Sequence, residues 1–305
     1  MEKTFLVVGL ACVDTVTVVS TYPEEDILTR AQEFYRQRGG NAAYTSCILS
    51  LLGAKAEFLG TLGTDQEAGF LKEIFHSYNV DIVNCPKPLD EIATPRSIVI
   101  NNRENGTRTI LHYDRNFKEL TFEDFRCIQL SKYNWIHLEG RSNYKELQLM
   151  MEWIDNYNNT VEADKRIPVS LEIELPDCTG LDSLLNKVDT VFVSKEYAID
   201  RGCSNKEEAV QKIVSKCREG ANMVCAWGED GAAAVSPDRK LISVPCFPPT
   251  EVVDTLGAGD TFNAAVIWYL SRGKTLEEAV TYGCKVAGAK CGMQGVDGLT
   301  IFREH

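Results

Sequence analysis

Short apolar runs and amphipathic stretches alternate along most of the chain. The run Phe5–Val13 is almost wholly apolar and predicts a buried first strand. Apolar residues recur every three or four positions in Ala42–Leu52 and Asp65–Tyr78, which predicts two helices. Further strands are expected at Glu57–Leu62, WIHLEG, IPVSLEIEL, TVFVS and MVCAW, and further helices at Tyr144–Tyr157, Leu181–Val188 and Lys206–Arg218. Strands that alternate with helices predict an α/β fold, whose mostly parallel sheet is covered by helices on both faces.

Two capping boxes locate helix starts. Ser204 is followed three residues later by Glu207, and Thr275 by Glu278. In such a pair the hydroxyl and the carboxylate each accept a backbone amide hydrogen bond at the first turn. Both positions are therefore predicted to begin helices.

Two segments break the alternation of strands and helices. Thr15–Arg38 carries β-branched and aromatic residues without a helical period. Ala93–Arg115 contains Asn105-Gly106 between two strand-like runs, a strong short-range hairpin signal. We expect the segments 15–38 and 93–115 to form a small β-sheet lid over the active edge of one domain, residues 1–305.

Composition narrows the class of protein. The 305 residues carry a formal net charge of −12, and this negative charge repels nucleic acid and anionic membranes, which disfavours both as partners. Eleven cysteines without a C-x-x-C pair are typical of reduced thiols in a cytoplasmic protein, and four histidines show no metal-ligand spacing. Phe5–Val13 is too short for a membrane span, and Asp14 follows it without a cleavage motif, which favours a strand over a signal peptide.

The stretch DTLGAGDTFNAAV carries the first candidate chemistry. Gly257, Ala258 and Gly259 precede Asp260 at the start of an apolar helical run. The amides of these four residues would be unpaired donors at a helix N-terminus, where they suit a phosphoryl group. Asp260 has two interpretations, a helix N-cap or a catalytic base. The stretch is neither a Walker A loop nor a Rossmann fingerprint, because it lacks G-K-[ST] and a third glycine.

A second glycine pair lies in RGGNAA. Gly40 permits close approach of backbone to a small ligand, and Asn41 offers donors and an acceptor. Asp14 is expected at the end of the first strand, where ligands bind in open α/β sheets. These groups suit a polyhydroxylated substrate, although a turn followed by an N-cap is the structural alternative.

The two stretches RGGNAA and DTLGAGDTFNAAVI resemble the two signatures of the ribokinase-like (PfkB-type) carbohydrate kinases. The segments YPEED, TRTILHYDR, WIHLEGR, VFVSK and CAWGEDGA, together with FPP before VVDTLGAGDTFNA, resemble a subgroup of that family that acts on ketohexoses. The resemblance covers essentially the whole chain. It implies ATP-dependent phosphorylation of a ketohexose, chiefly fructose, to the 1-phosphate.

The resemblance also implies roles for single residues. It makes Asp260 the base, Gly257–Gly259 the anion hole, and Asp14, Gly40 and Asn41 sugar-binding residues. Arg108 would reach the nucleotide phosphates, and Glu139 and Arg141 would face the site. A loop and a wall beside the nucleotide are implied for Gly228, Glu229, Asp230 and Gly231, and for Phe247, Pro248, Pro249, Cys284 and Ala287. The structural alternatives are a solvated charge for Arg108, a buried thiol for Cys284 and an ion pair for Glu139 with Arg141.

Two positions depart from the family pattern. Tyr44 stands where an asparagine is expected to touch the sugar, which leaves the identity of the sugar open. SKEY, residues 194–197, replaces an N-x-x-E stretch that is tied to magnesium, so no protein metal ligand is assigned. Mg²⁺ would arrive with ATP and keep several waters. K⁺ is a further candidate cofactor.

The resemblance implies a homodimer that is formed through the lid sheets. Asp26 of the YPEED segment would then reach the partner's sugar site, whereas the alternative for this residue is a solvated acid. Two rival functions stay open. One is a kinase of this fold for another sugar or a nucleoside, and the other is a sugar-binding regulator without catalysis. A nicotinamide oxidoreductase is disfavoured by the glycine pattern.

Overall fold

The structure, a computed structural model, describes residues 4–176 and 180–303. Its helices are α1 (Asn41–Leu51), α2 (Gln66–Ser77), α3 (Phe122–Phe125), α4 (Tyr144–Asn158), α5 (Lys195–Asp200), α6 (Lys206–Ile213), α7 (Ala258–Ser271) and α8 (Leu276–Cys291). Its strands are β1 (Thr4–Val8), β2 (Cys12–Val19), β3 (Glu33–Gly39), β4 (Ala56–Leu59), β5 (Val80–Asp81), β6 (Arg96–Asn102), β7 (Arg108–Tyr113), β8 (Tyr133–Glu139), β9 (Val169–Ile173), β10 (Thr190–Val193), β11 (Asn222–Ala226), β12 (Ala232–Val235) and β13 (Leu241–Val244).

The large sheet has the strand order β13-β12-β11-β10-β9-β8-β1-β4-β5. Its strands pair in parallel from β5 to β11, and β12 and β13 add an antiparallel edge. Buried side chains of α1, α7 and α8 form the core on one face, and those of α4 and α6 form the core on the other. The predicted α/β fold with a mostly parallel, doubly covered sheet is confirmed.

A separate four-stranded sheet has the order β3-β2-β6-β7. The strands β6 and β7 form the hairpin that Asn105-Gly106 predicted, and Gly106 adopts a positive φ of 68° in its turn. One face of this sheet packs Val16, Val18 and Val99 against Leu256, directly before the Gly257 turn. The two predicted segments therefore build one small sheet, and it contacts the glycine-rich stretch.

The prediction of one first strand over Phe5–Val13 was wrong. The chain leaves the large sheet after Val8 and enters the small sheet at Cys12. Gly9 lies at this crossing, where a Cβ would be 2.5 Å from Glu139 Oε2. Asp14 consequently lies inside β2 of the small sheet and not at the end of a strand of the large one.

Three further local predictions need correction. Residues 181–187 form a 3₁₀ helix in place of the predicted α-helix, and α6 ends at Ile213 before a short 3₁₀ turn. The predicted capping box of Ser204 with Glu207 is absent: the N-cap of α6 is Asn205, whose side chain accepts the amide of Glu208 at 2.8 Å. The Glu208 carboxylate in turn accepts the Ser204 amide. The capping box of Thr275 and Glu278 is confirmed.

Within the described ranges, no helix is long and apolar enough to cross a membrane. The described cysteines are all free thiols.

Candidate active site

The Gly257 turn starts α7 at the edge of the small sheet. Gly257 is the N-cap residue, with φ 77° and ψ 10° in the left-handed region that glycine tolerates best. Asp260 is the third residue of α7 and is buried, with 8% of its surface exposed. Because Gly257 occupies the N-cap position, the interpretation of Asp260 as an N-cap is wrong.

The first amides of α7 are partly free. Among the described residues, no group accepts a hydrogen bond from the amides of Gly257, Gly259 and Asp260. The amide of Ala258 donates to the Thr255 carbonyl at 3.2 Å, so the expectation that it is unpaired was wrong. Three unpaired donors at a helix N-terminus are an arrangement that suits an anion.

Tyr44 of α1 lies beneath this turn. A Cβ at Gly257 would lie 2.7 Å from the Tyr44 ring, which explains why glycine is needed there. The Arg38 guanidinium also lies over this ring, 4.4 Å from its centroid. Tyr44 is 6% exposed, and its buried ring packs against the Gly257 turn.

The small sheet brings two polar residues to this region. Arg108 on β7 donates to Thr255 Oγ1 at 3.2 Å, and its charge counteracts the rise in the pKa of Asp260. Asp14 is buried on β2 against Gly39, where a Cβ would lie 2.1 Å from Asp14 Oδ1. Burial raises the pKa of Asp14 from its ordinary value.

Two carboxylates, the buried Glu172 and the exposed Glu174, bind the side chain of Asn41. The Asn41 amide donates to Glu172 at 3.1 Å and to Glu174 at 2.9 Å, at the end of β9. Sequence reasoning missed both acids, although LEIEL places charged residues in a strand that was expected to be buried. Glu172 is 7% exposed, and burial together with Glu174 and Glu139 raises its pKa.

Glu139 binds backbone amides at the start of α1. Its Oε2 accepts the amides of Leu10 at 2.9 Å and Ala42 at 3.0 Å, while its Oε1 accepts from Arg141 at 3.1 Å. The ion pair of Glu139 and Arg141 is therefore present. Gly40 precedes α1 with φ 94°, and a Cβ there would lie 2.3 Å from the Leu10 carbonyl oxygen.

Asp260 is surrounded by negative charge. Burial is the largest cause of its raised pKa, and Glu172, Glu174 and Glu139 raise it further by repulsion. A carboxylate with a raised pKa holds a proton more strongly than an ordinary aspartate does. This environment suits a general base.

The residues expected beside the nucleotide lie in a series of contacts that runs from the loop at 228–231 to the C-terminal half of α8. Gly231 lies against the end of β13, where a Cβ would be 2.2 Å from the Val244 carbonyl oxygen. The backbone of Phe247 packs on Gly288 of α8, one helical turn beyond the buried Cys284. Pro249 packs on Gly292. The loop at 228–231, the segment 247–249 and α8 thus form adjoining surfaces.

Asp26 is the predicted site residue that the structure leaves apart. It is exposed in the connection between β2 and β3, with φ 61°. None of the hydrogen bonds or ion pairs found among the described residues involves its side chain. A role for Asp26 therefore depends on a second molecule and stays a prediction.

The residues present fit a magnesium ion that arrives with a nucleotide. Glu172 Oε2 is buried without a hydrogen-bond partner among the described residues, and the free amides of α7 suit phosphate oxygens. In residues 4–176 and 180–303, no group of three or more His, Cys, Asp or Glu could hold a metal ion. Phosphate and water oxygens would have to supply most of the coordination.

Comparisons with known proteins identify the family of this chain. Residues 2–300 match the model of the pfkB family carbohydrate kinases. The chain is 43% identical to mouse ketohexokinase over 298 residues, which cover 98% of this chain and 99% of the relative. Its fold is similar to that of ribokinase from Giardia lamblia, with a TM-score of 0.82 and 15% identity over 98% of this chain and 96% of that one.

Another similar fold is that of Arabidopsis thaliana ribokinase, solved with ribose and ATP. It has a TM-score of 0.75 and 20% identity over 98% of this chain and 96% of that one. Structures at this level of identity support the fold, and the family match and the mouse relative support the enzyme class. The chain belongs to the pfkB family of carbohydrate kinases, which are phosphotransferases that use ATP with Mg²⁺.

Proposed function

We propose that this protein is a ketohexokinase that transfers the γ-phosphoryl group of ATP to D-fructose and forms fructose 1-phosphate. The observation that carries the proposal is the buried Asp260 at the third position of α7, beside the free amides of the Gly257 turn. The 43% identity to mouse ketohexokinase supports the choice of sugar.

Asp260 is the base in this proposal. Its carboxylate accepts the proton of the sugar hydroxyl as the oxygen attacks the γ-phosphorus. The amides of Gly257, Gly259 and Asp260 stabilise the charge on the phosphoryl oxygens. Ala258 shapes the turn, because its own amide is paired with Thr255. Mg²⁺, when bound with ATP, neutralises phosphate charge.

The sugar lies between the small sheet and the start of α1. Asp14 on β2 and Asn41 with Gly40 at α1 hold its hydroxyl groups, and Tyr44 sets which sugar fits. Glu139 acts through the backbone of α1, since it accepts the Ala42 amide at 3.0 Å, and Arg141 holds Glu139 in place. Asp26 contributes from the partner subunit of a homodimer.

The nucleotide lies along α8. Arg108 binds its phosphates, and its contact with Thr255 supports this role. The adenine ring of the nucleotide packs between two groups of residues. One is the loop Gly228, Glu229, Asp230 and Gly231, and the other consists of Phe247, Pro248, Pro249, Cys284 and Ala287. The small sheet acts as a lid that excludes water during transfer.

A cytoplasmic location agrees with the free thiols. K⁺ activation stays a prediction.

A coupled assay of ADP release over a panel of ketoses, aldoses and nucleosides tests the proposal. We expect turnover that is highest with fructose, and a product whose phosphate is on O1 by NMR. Good turnover with another sugar or a nucleoside, and none with fructose, would favour the rival kinase that Tyr44 keeps open. Sugar binding by calorimetry without any turnover would favour a regulator.

A further inference from the structure

A buried ion pair links α8 to the segment that precedes the Gly257 turn. The side chain of Lys290 on α8 is 0% exposed, and its Nζ lies 2.8 Å from Asp254 Oδ2. The same ammonium donates to the Asp254 carbonyl oxygen at 2.7 Å. Lysine is almost never fully buried unless it is paired, and a buried ion pair stabilises a fold less well than apolar residues of the same size. Stability alone therefore does not explain this pair.

Asp254 ties the chain before the turn to the end of α8. Its Oδ1 accepts the amide of Leu256 at 2.9 Å, and its Oδ2 accepts the amide of Gly295 at 3.2 Å. The amides of Val253 and Asp254 both donate to the Cys291 carbonyl oxygen. The backbone between Val253 and Leu256 is thus held at several points in succession.

We propose that the Lys290–Asp254 ion pair is a positioning pair for phosphoryl transfer, which holds the Gly257 turn in the geometry that the transferring group requires. This inference rests on the proposed kinase function. Lys290 acts through the backbone of Asp254 and does not touch the substrate. Small displacements of groups that stabilise a transition state lower the reaction rate by large factors. A rigid turn can therefore increase the rate enough to offset the stability that is lost by burying two charges.

The two hydrogen bonds of the ammonium explain why a charge is used here. One holds the carboxylate of Asp254 and the other holds its main-chain carbonyl, so a single donor group fixes side chain and backbone together. Apolar packing has no such direction. Burial lowers the pKa of Lys290, and the charge and hydrogen bond of Asp254 oppose part of this change.

The test compares Lys290→Met with the double variant Lys290→Met/Asp254→Asn. Glu57→Ala is the matched control, because Glu57 is also buried and bonded, to Asn84 at 2.6 Å, but belongs to β4 away from the turn. For each protein, kcat and both KM values, the thermal midpoint and amide hydrogen exchange of residues 254–260 are measured.

We expect Lys290→Met to lower kcat by at least roughly 10-fold, with a change of less than about 2-fold in the KM for the sugar. Exchange at residues 254–260 should become faster. The double variant should regain thermal stability, because no unpaired charge is left, but not kcat. Glu57→Ala should lower the midpoint while kcat stays within about 2-fold.

A folded Lys290→Met protein with unchanged kcat and unchanged exchange would overturn the proposal. So would a double variant that regains kcat together with stability, since the pair would then be merely structural. If the parent protein phosphorylates no sugar, the proposed function fails. The exchange measurement then decides separately whether the pair holds the turn.

Discussion

Asp260 combines burial with negative neighbours, and this combination has consequences for the dependence of activity on pH. Its pKa is raised, and only the carboxylate form accepts a proton. Activity is therefore present above the raised pKa and is lost as pH falls through it. We expect the acid limb of kcat/KM to lie above the ordinary aspartate value of 3.8. Asp260→Asn should lower kcat by roughly 10²–10⁴-fold with nucleotide affinity nearly unchanged.

Steady-state kinetics over pH and calorimetry with a nucleotide analogue check this prediction. Asp238→Asn is a suitable control, because Asp238 belongs to an exposed turn between β12 and β13. Near-normal turnover of Asp260→Asn would mean that the aspartate does not act as the base.

Tyr44 has a ring that supports the turn and a hydroxyl that we expect to reach the sugar. Tyr44→Phe keeps the ring, so it should raise the KM for the sugar about 5-fold, the equivalent of ~1 kcal/mol, and leave the KM for ATP unchanged. Tyr44→Asn also removes the packing beneath Gly257, and should lower the free energy of unfolding by about 2–4 kcal/mol. Kinetics with both substrates and urea unfolding separate the two effects. Equal changes in both KM values for Tyr44→Phe would contradict the contact with sugar.

At the scale of elements, β8 and β9 bring a histidine and an acid together inside the large sheet. His137 Nε2 lies 3.5 Å from Glu172 Oε2, and His137 Nδ1 lies 2.8 Å from Ser170 Oγ. Burial lowers the pKa of His137 from 6.5 to about 4. Between these values the unfolded chain binds a proton that the folded chain does not, so the histidine destabilises the fold as pH falls.

Comparison of pH 7 with pH 5 measures this effect. The parent protein should lose about 2 kcal/mol more of its free energy of unfolding than His137→Gln does. The raised pKa of Glu172 acts in the opposite direction and is common to both proteins. His76→Gln, a change on the exposed side of α2, should behave like the parent. Equal losses for His137→Gln and the parent would mean that His137 is protonated in the folded state at pH 5.

At the scale of the whole molecule, the outer face of the small sheet is apolar and open. Phe34, Ile98 and Leu111 are 69%, 50% and 56% exposed. Such a face favours pairing with a second copy, in a twofold symmetric dimer. Phe34→Glu should convert a dimer to a monomer in gel filtration, whereas Leu149→Glu, at an exposed apolar position of α4, should not. A parent protein that elutes as a monomer would reject the dimer.

The same dimer gives a test of Asp26. Asp26→Ala and Asp260→Asn should each be inactive, and a mixture that exchanges subunits should regain part of the activity. A mixed dimer has one site with both carboxylates only if Asp26 acts across the interface. Absence of any recovery would mean that Asp26 acts within its own chain or not at all.

The features that could be predicted are those in which local sequence decides local conformation. Gly257 with Asp260, the turn at Asn105-Gly106 and the capping box at Thr275 each lie within a few residues, so their pattern is visible without the fold. The break of the first strand could not be predicted. A short apolar run has the same composition whether it stays in one sheet or crosses to another. The close packing of Glu139 on Gly9 at the crossing is a tertiary contact that the run itself does not specify.

The sequence by itself determined the α/β fold, the small sheet from two segments and the glycine-rich turn before Asp260. These follow from periodicity and from the backbone preferences of single residues. Tertiary structure alone decided the surroundings of that turn. Glu172 meets Asn41 across 131 residues and Lys290 meets Asp254 across 36, and no local pattern specifies either contact. Burial and neighbouring charge, which raise the pKa of Asp260, exist only once these distant groups have packed together.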